Sequence, residues 1–93
     1  MNGRRLREAR VEAERLALAT RAALAADGHL LDDDDRAKVE ALAAGAEMAA
    51  RSSDAEAVEA ATKALTVGTE AFAAARMNSG IRQALTGRRI EDV

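Results

Sequence analysis

The chain of 93 residues is long enough for one small domain, and it contains no cysteine, proline, tryptophan or tyrosine. The absence of cysteine excludes disulfides and thiolate metal sites, and no apolar run reaches the roughly 20 residues that cross a bilayer. A net charge of −2 and the lack of a visible signal peptide favour a cytoplasmic protein that does not bind membranes.

Arginine is concentrated at the two ends, in residues 1–26 and 76–93, while acidic residues dominate residues 27–75. The basic ends contain no aromatic side chain that could stack on bases, so we expect no nucleic-acid partner. Alanine accounts for 25 residues, which leaves only 20 larger apolar side chains. Because alanine is the best helix former, this composition predicts closely packed helices around a shallow core.

The first predicted helix runs from Gly3 to Asp27 and is stopped by Gly28. Its apolar seam advances in steps of three and four, as in a coiled coil. The seam comprises Leu6, Ala9, Ala13, Leu16, Thr20 and Ala23. A helix this long, about 36 Å at ~1.5 Å per residue, should project its N-terminal half beyond the domain. That half would expose Leu6, Ala9, Ala13 and Leu16 as an interaction surface through which the chain could self-associate.

The second predicted helix spans Asp34–Arg51, capped by Asp32 or Asp33. After the break at SSDAE, where Ser53 and Glu56 are typical of a capping box, a third helix should run from Asp54 to Met77. Its seam contains Val58, Leu65 and Phe72, and it also contains Gly68. A glycine inside a helix predicts the close approach of a neighbouring helix at that point.

A short fourth helix is predicted from Ile81 to Thr86, ended by Gly87 and folded back over the open end of the bundle. The pattern as a whole predicts an all-α fold, a long N-terminal helix plus a small antiparallel three-to-four-helix bundle. Residues 1–27 would form an arm and residues 28–93 the bundle. The predicted core comprises Val39, Leu42, Val58, Leu65, Phe72, Ile81 and Leu85.

No pattern in the chain indicates catalysis or a bound cofactor or metal. The run Asp32–Asp35 lacks the alternating ligands and central glycine of a calcium loop, and it is better explained as helix capping. His29 is the only histidine and has no cysteine beside it. There is no glycine-rich phosphate loop, so we expect no nucleotide binding and no enzymatic activity in this chain.

The stretches ALAADGHLLDDDDRAKVEAL and DAEAVEAATKALTVGTEAFAAARMNSGIRQALTGRRIEDV resemble the C-terminal part of DnaK-type heat-shock chaperones. They are most similar to the HscA branch, which serves iron–sulfur cluster assembly. In that branch the chain ends with F-A-A-x-R-M, a short I/V-R-x-A-L-x-G helix and an acidic-apolar ending. The corresponding positions here are Phe72, Ala73, Ala74, Arg76, Met77, Ile81, Arg82, Ala84, Leu85, Gly87 and Ile90 to Val93. Gly80 and residues 1–8 depart from the pattern.

The resemblance implies that the chain is a fragment, the helical lid that closes over a β-sandwich domain and slows the release of a bound client. In the HscA branch that client is the cluster scaffold protein, and ATP and Mg²⁺ bind a separate nucleotide-binding domain. The first helix would lie across the sandwich as an arm. The alternative is a stand-alone helical adaptor or dimerisation domain built on the seam of the first helix. An ATPase domain encoded upstream would favour the lid, and a true start at Met1 would favour the adaptor.

Overall fold

The computed structural model of the chain describes the backbone of residues 2–92 and the side chains of residues 3–85. It contains four α-helices and a short 3-10 turn over Gly28–Leu30. The helices are α1 (Asn2–Asp27), α2 (Asp33–Ala49), α3 (Ala55–Gly68) and α4 (Glu70–Asp92). No strand occurs in residues 2–92. The prediction of an all-α fold with a long N-terminal helix is confirmed.

Helices α1, α2 and α3 form a three-helix bundle, and Phe72 of α4 completes its interior, which consists of three layers rich in alanine. One layer is made of Ala9, Ala13, Ala50 and Val58, and the next of Ala17, Ala43, Ala46 and Leu65. The third layer contains Ala23, Val39 and Phe72. Because alanine fills most of these positions, the helix axes can approach closely, and the larger Val58 and Leu65 occupy what space remains.

The prediction that the N-terminal half of α1 projects beyond the domain is wrong. Ala9 and Ala13 are buried against Ala50 and Val58, and Leu6 packs on the same layer. Arg10 adds a polar contact, donating from Nε and Nη2 to the Ser52 carbonyl at 3.1 and 2.7 Å. The helix predicted as an arm therefore belongs to the bundle, because its alanines match small residues along the full length of α2 and α3.

The helix starts are set by aspartate caps. Asp32 caps α2 by accepting from the Asp35 amide at 2.8 Å, and Asp33, Asp34 and Asp35 fill the first turn, where the helix dipole favours negative charge. Helix α3 is capped by Asp54, whose carboxylate accepts from the Glu56 amide at 3.1 Å. The predicted capping box with Ser53 as the cap is wrong by one position.

Helices α3 and α4 form one bent helix, with the bend at Gly68–Thr69 instead of the predicted break after Met77. Helical hydrogen bonding continues across it, from the Thr69 amide to the Leu65 carbonyl and from the Ala73 amide to the Thr69 carbonyl. The Thr69 hydroxyl donates to the Leu65 carbonyl at 2.9 Å, a side-chain contact that commonly bends helices. At Gly68 the predicted close approach is present, because a Cβ there would overlap the Leu42 Cδ1 methyl.

Helix α4 runs without a break through Ile81 and Gly87 to Asp92, so the predicted separate helix over Ile81–Thr86 is wrong. No proline interrupts MNSG, and Gly80 alone costs only ~1 kcal/mol in a helix. The longest dimension of the molecule is 62 Å, whereas α1 accounts for about 39 Å at ~1.5 Å per residue. The C-terminal part of α4 therefore extends beyond the bundle.

The predicted core is divided by this geometry. Val39, Val58, Leu65 and Phe72 are buried and Leu42 is half-buried, but Ile81 and Leu85 lie on the surface. Phe72 packs with Ala23 and Val39, and Leu24 and Leu31 pack against the same cluster. The acidic-apolar ending from Ile90 to Val93 lies outside the residues whose side chains are described.

Candidate interaction surfaces

The aspartate run and the histidine, which could suggest a metal site, have structural or solvent-exposed positions. The carboxylates of Asp32–Asp35 cap and flank the start of α2, as the sequence predicted, and His29 is exposed in the 3-10 turn. Within the described residues, no group of three or more metal-binding side chains comes together. The same part of the chain has no buried side-chain nitrogen or oxygen atom without a hydrogen-bond partner. The features left as candidates for a functional site are the exposed surfaces of the described residues.

The surface predicted on α1 is not free. Of Leu6, Ala9, Ala13 and Leu16, the two alanines are buried, and the two leucines are half-buried against the first and second layers of the core. The seam of threes and fours was read correctly as an apolar face, but that face is directed at α2 and α3. An apolar seam predicts that one face of a helix is buried, but it does not show which helix or domain packs against that face.

The large apolar residues of α1 that face solvent are Val11 and Leu18, one heptad apart. Leu18 is 73% exposed and Val11 49%. A shallow depression beside Leu18 is lined by Glu14, Arg21, Glu47, Ala50 and Arg51. Val11 and Leu18 therefore form an outward apolar strip on α1.

Charged pairs link the helices at the rim of the bundle. Arg21 on α1 donates from Nε and Nη2 to Glu47 on α2 at 3.0 and 2.9 Å, and Arg5 binds Glu59 on α3 in the same two-pronged way at 3.0 and 2.6 Å. Hydrogen bonding and attraction from each guanidinium lower the pKa values of Glu47 and Glu59 and raise those of Arg21 and Arg5. These pairs are exposed, so their contribution is one of orientation more than of stability.

Helix α4 is attached to the bundle by one face of its first three turns. Arg76 donates from Nε to Asp27 at 2.9 Å and its guanidinium lies 5.9 Å from the centre of the Phe72 ring. A shallow groove of about 160 Å³ lies between α1 and this part of α4. This groove could not be predicted from the sequence, because it depends on the bend at Thr69, which periodicity does not reveal.

The opposite face of α4 carries large apolar side chains that are exposed to solvent. Met77 is 68% exposed, Ile81 53% and Leu85 56%. They are spaced four apart and follow Ala74, also exposed, on the same side of the helix. Exposed apolar stripes of this kind mark sites where another chain binds. The sequence prediction placed Ile81 and Leu85 in the core, and their exposure shows that this is wrong.

Among the described residues, no helix combines the length and apolar character needed to span a membrane. Comparison with known proteins finds a consistent set of relatives. The chain is 66% identical to the chaperone protein HscA homolog of Methylibium petroleiphilum, 57% to that of Burkholderia thailandensis and 55% to that of Variovorax paradoxus. Each alignment covers all 93 residues here and 15% of the relative's length. No family model and no solved structure matches.

The extent of these matches shows how much of the relatives the chain corresponds to. An alignment over the whole chain at this identity includes the bundle, the bend at Gly68–Thr69 and the free part of α4 together. It also shows that the chain spans only about one seventh of the length of the curated relatives it matches. The whole chain is therefore similar to a C-terminal region of HscA homologs.

Proposed function

We propose that this chain is the helical lid of an HscA-type chaperone and that it slows the release of a bound client protein. The observation that carries the proposal is the identity over the whole chain to HscA homologs, combined with a bundle in which the described residues form no metal cluster. The function of such a segment is mechanical: a rigid body must move before the client can leave. A lid of this kind acts mainly on the dissociation rate.

The bundle is suited to this role because its helices are locked together along their length. Three core layers and the pairs Arg5–Glu59, Arg21–Glu47 and Arg76–Asp27 join every helix to α1. The outward strip Val11 and Leu18 provides the face of α1 that would meet the rest of the chaperone. In this proposal the buried seam of α1 stiffens the lid and does not touch the client-binding domain.

The proposal extends to the client and to ATP. By family, the client is the scaffold protein of iron–sulfur cluster assembly, held by a β-sandwich domain, and ATP with Mg²⁺ binds a nucleotide-binding domain elsewhere in the full chaperone. This segment would bind no cofactor and catalyse no reaction. It would act in the cytoplasm, where cluster assembly takes place.

The test uses the full-length HscA homolog of Methylibium petroleiphilum, in which the matching segment is deleted or replaced by this chain. A fluorescent peptide from the scaffold protein is bound, and its dissociation is followed after excess unlabelled peptide is added. We expect several-fold faster release from the deletion variant and slow release restored by the replacement. Basal ATP hydrolysis should change little, which separates a lid defect from a damaged ATPase domain.

Equal release rates from the intact and deleted chaperones would contradict the lid function. A peptide of unrelated sequence serves as the control for the client. If both peptides respond equally, the lid function stands but the assignment to cluster assembly fails.

A further inference from the structure

The bend between α3 and α4 is a point where the same backbone groups can be satisfied in two ways. In an uninterrupted α-helix the Thr66 carbonyl accepts from the backbone amide four residues later. Here it accepts from the Thr69 hydroxyl at 3.2 Å, and the same hydroxyl lies 2.9 Å from the Leu65 carbonyl. The backbone of Thr69 has a ψ of 2°, outside the helical range. No proline fixes the bend, so a straight helix can form by exchanging side-chain hydrogen bonds for backbone ones.

Two other threonines of α3 show that a hydroxyl alone does not bend this helix. Thr62 and Thr66 each donate to the carbonyl four residues earlier at 3.0 Å, and α3 continues unbroken past both. Thr69 differs because its hydroxyl reaches two carbonyls and because it follows Gly68, where α2 approaches the helix closely. The bend therefore depends on Thr69 and its surroundings, and Thr66 provides a natural control.

The bend positions Phe72, which lies about one turn further along the helix. Phe72 completes the third core layer with Ala23 of α1 and Val39 of α2, so a residue of α4 closes this end of the bundle. The buried residues of the first two layers all lie before the bend. A groove of about 160 Å³ between α1 and α4 reaches Phe72 and Ala23, so the third layer lies beside open space. The third layer therefore depends on the bend, and the first two layers do not.

We propose that Thr69 is a hinge and that α4 is a strap, which exchanges between the docked position of the structure and a straight, undocked one. In the undocked state Phe72 leaves the third layer and exposes Ala23 and Val39, while the first two layers stay packed. Undocking removes mainly one buried ring and one exposed ion pair, whereas unfolding the bundle disrupts all three layers. Opening at the hinge therefore costs less than global unfolding. The hinge does not depend on the lid function, and its failure would leave that proposal unaffected.

Thiol labelling measures this opening, because the chain has no cysteine of its own. Val39→Cys places a thiol in the third layer and Val58→Cys places one in the first, and both valines are buried. The folded 93-residue chain is treated with a thiol reagent over a range of low urea concentrations. We expect the thiol at position 39 to react at least about tenfold faster than the thiol at position 58, at a rate that urea changes little. Equal rates with the same urea dependence would overturn the proposal, because both sites would then open only by global unfolding.

Thr69→Val tests the hinge itself, because it keeps the branched shape and removes both hydroxyl bonds. The bent form then leaves the Thr66 carbonyl without its donor. The variant should therefore raise the labelling rate at position 39 by about fivefold or more and leave the rate at position 58 unchanged. The matched control, Thr66→Val, removes one hydroxyl bond where the helix is unbroken and should change neither rate.

Circular dichroism verifies that all of these variants remain folded. Equal acceleration at both positions by Thr69→Val would show a general loss of stability and would overturn the hinge. An unchanged rate at position 39, or an equal effect of Thr66→Val there, would overturn it as well.

Discussion

The bundle of α1, α2 and α3 and the part of α4 after Phe72 both contain alanine, yet they place it differently. In the bundle, alanine lies inside: seven alanines are among the buried residues, and α1 and α2 meet through them. In α4 after Phe72, the described alanines are at the surface or half-buried, and the large residues Met77, Ile81 and Leu85 are exposed beside them. Side-chain size therefore does not predict burial in this molecule.

The difference has a geometric cause. A helix flanked by two others is covered along its length, and small residues bring its neighbours close enough to exclude water. Among the described side chains, Met77, Ile81 and Leu85 of α4 are not flanked in this way and stay on the surface. The bundle therefore stabilises the fold, whereas the exposed side chains of Met77, Ile81 and Leu85 contribute little to it.

The largest expected effect comes from comparing Phe72→Ala with Met77→Ala. These two truncations lie five residues apart on one helix. Phe72 is almost fully buried, and its loss should cost ~3–5 kcal/mol of the free energy of unfolding. Met77 is largely exposed, and its truncation should change that quantity by less than about 0.5 kcal/mol. Urea unfolding followed by circular dichroism measures both. Equal losses would mean that α4 packs differently from the structure.

A second test enlarges an alanine instead of removing a large residue. Ala43 is fully buried in the second core layer, so Ala43→Leu should separate α1 from α2 and cost ~1–3 kcal/mol. Ala41, two residues earlier on the same helix, is exposed, and Ala41→Leu should be close to neutral. Stabilisation by Ala43→Leu, seen in the urea midpoint, would show that the core has unfilled space.

Two glycines provide a finer comparison. A Cβ at Gly45 meets nothing within 4 Å, so Gly45→Ala should stabilise the chain by roughly 0.5–1 kcal/mol through helix propensity. At Gly68 the same change forces Leu42 to move, so most of this gain should be lost. Thermal unfolding of both variants measures the difference. Equal stabilisation would show that the close approach of α2 to α3 at Gly68 does not constrain the packing.

The smallest expected effect concerns the exposed pairs at the rim. Hydrogen bonding and attraction from Arg21 and Arg5 lower the pKa values of Glu47 and Glu59 in the folded chain. Their stabilising contribution is therefore complete above the pKa of an unfolded glutamate, about 4.3, and is lost as the pH falls through the lowered folded value. The double variant Glu47→Gln, Glu59→Gln should lose less stability than wild type between pH 7 and pH 3.

The control for this experiment is Glu12→Gln, an exposed carboxylate on α1 outside these two pairs. Its urea midpoint should fall with pH as the wild-type midpoint does. A double variant with the same acid response as the control would show that the two pairs are too mobile to affect folding.

Part of this architecture could be predicted from the sequence. Steps of three and four identified the helices and the buried face of α1, the aspartates marked the start of α2, and Gly68 indicated a close helix contact. These features depend on residues near one another in the chain. The projection of α4 could not be predicted in this way, because Met77, Ile81 and Leu85 have the spacing of a core helix. Whether such a stripe is covered depends on where the bend at Thr69 directs it.

The contrast between the two regions is tested most directly by client release from the full-length chaperone that carries this segment. Dissociation of the scaffold peptide is compared for wild type, Phe72→Ala and Ile81→Glu. If the bundle restrains the client and the exposed residues Met77, Ile81 and Leu85 of α4 do not, Phe72→Ala should release the peptide several-fold faster. Ile81→Glu should then release it at the wild-type rate. Unchanged release from Phe72→Ala, or equal acceleration by both substitutions, would contradict this division of roles.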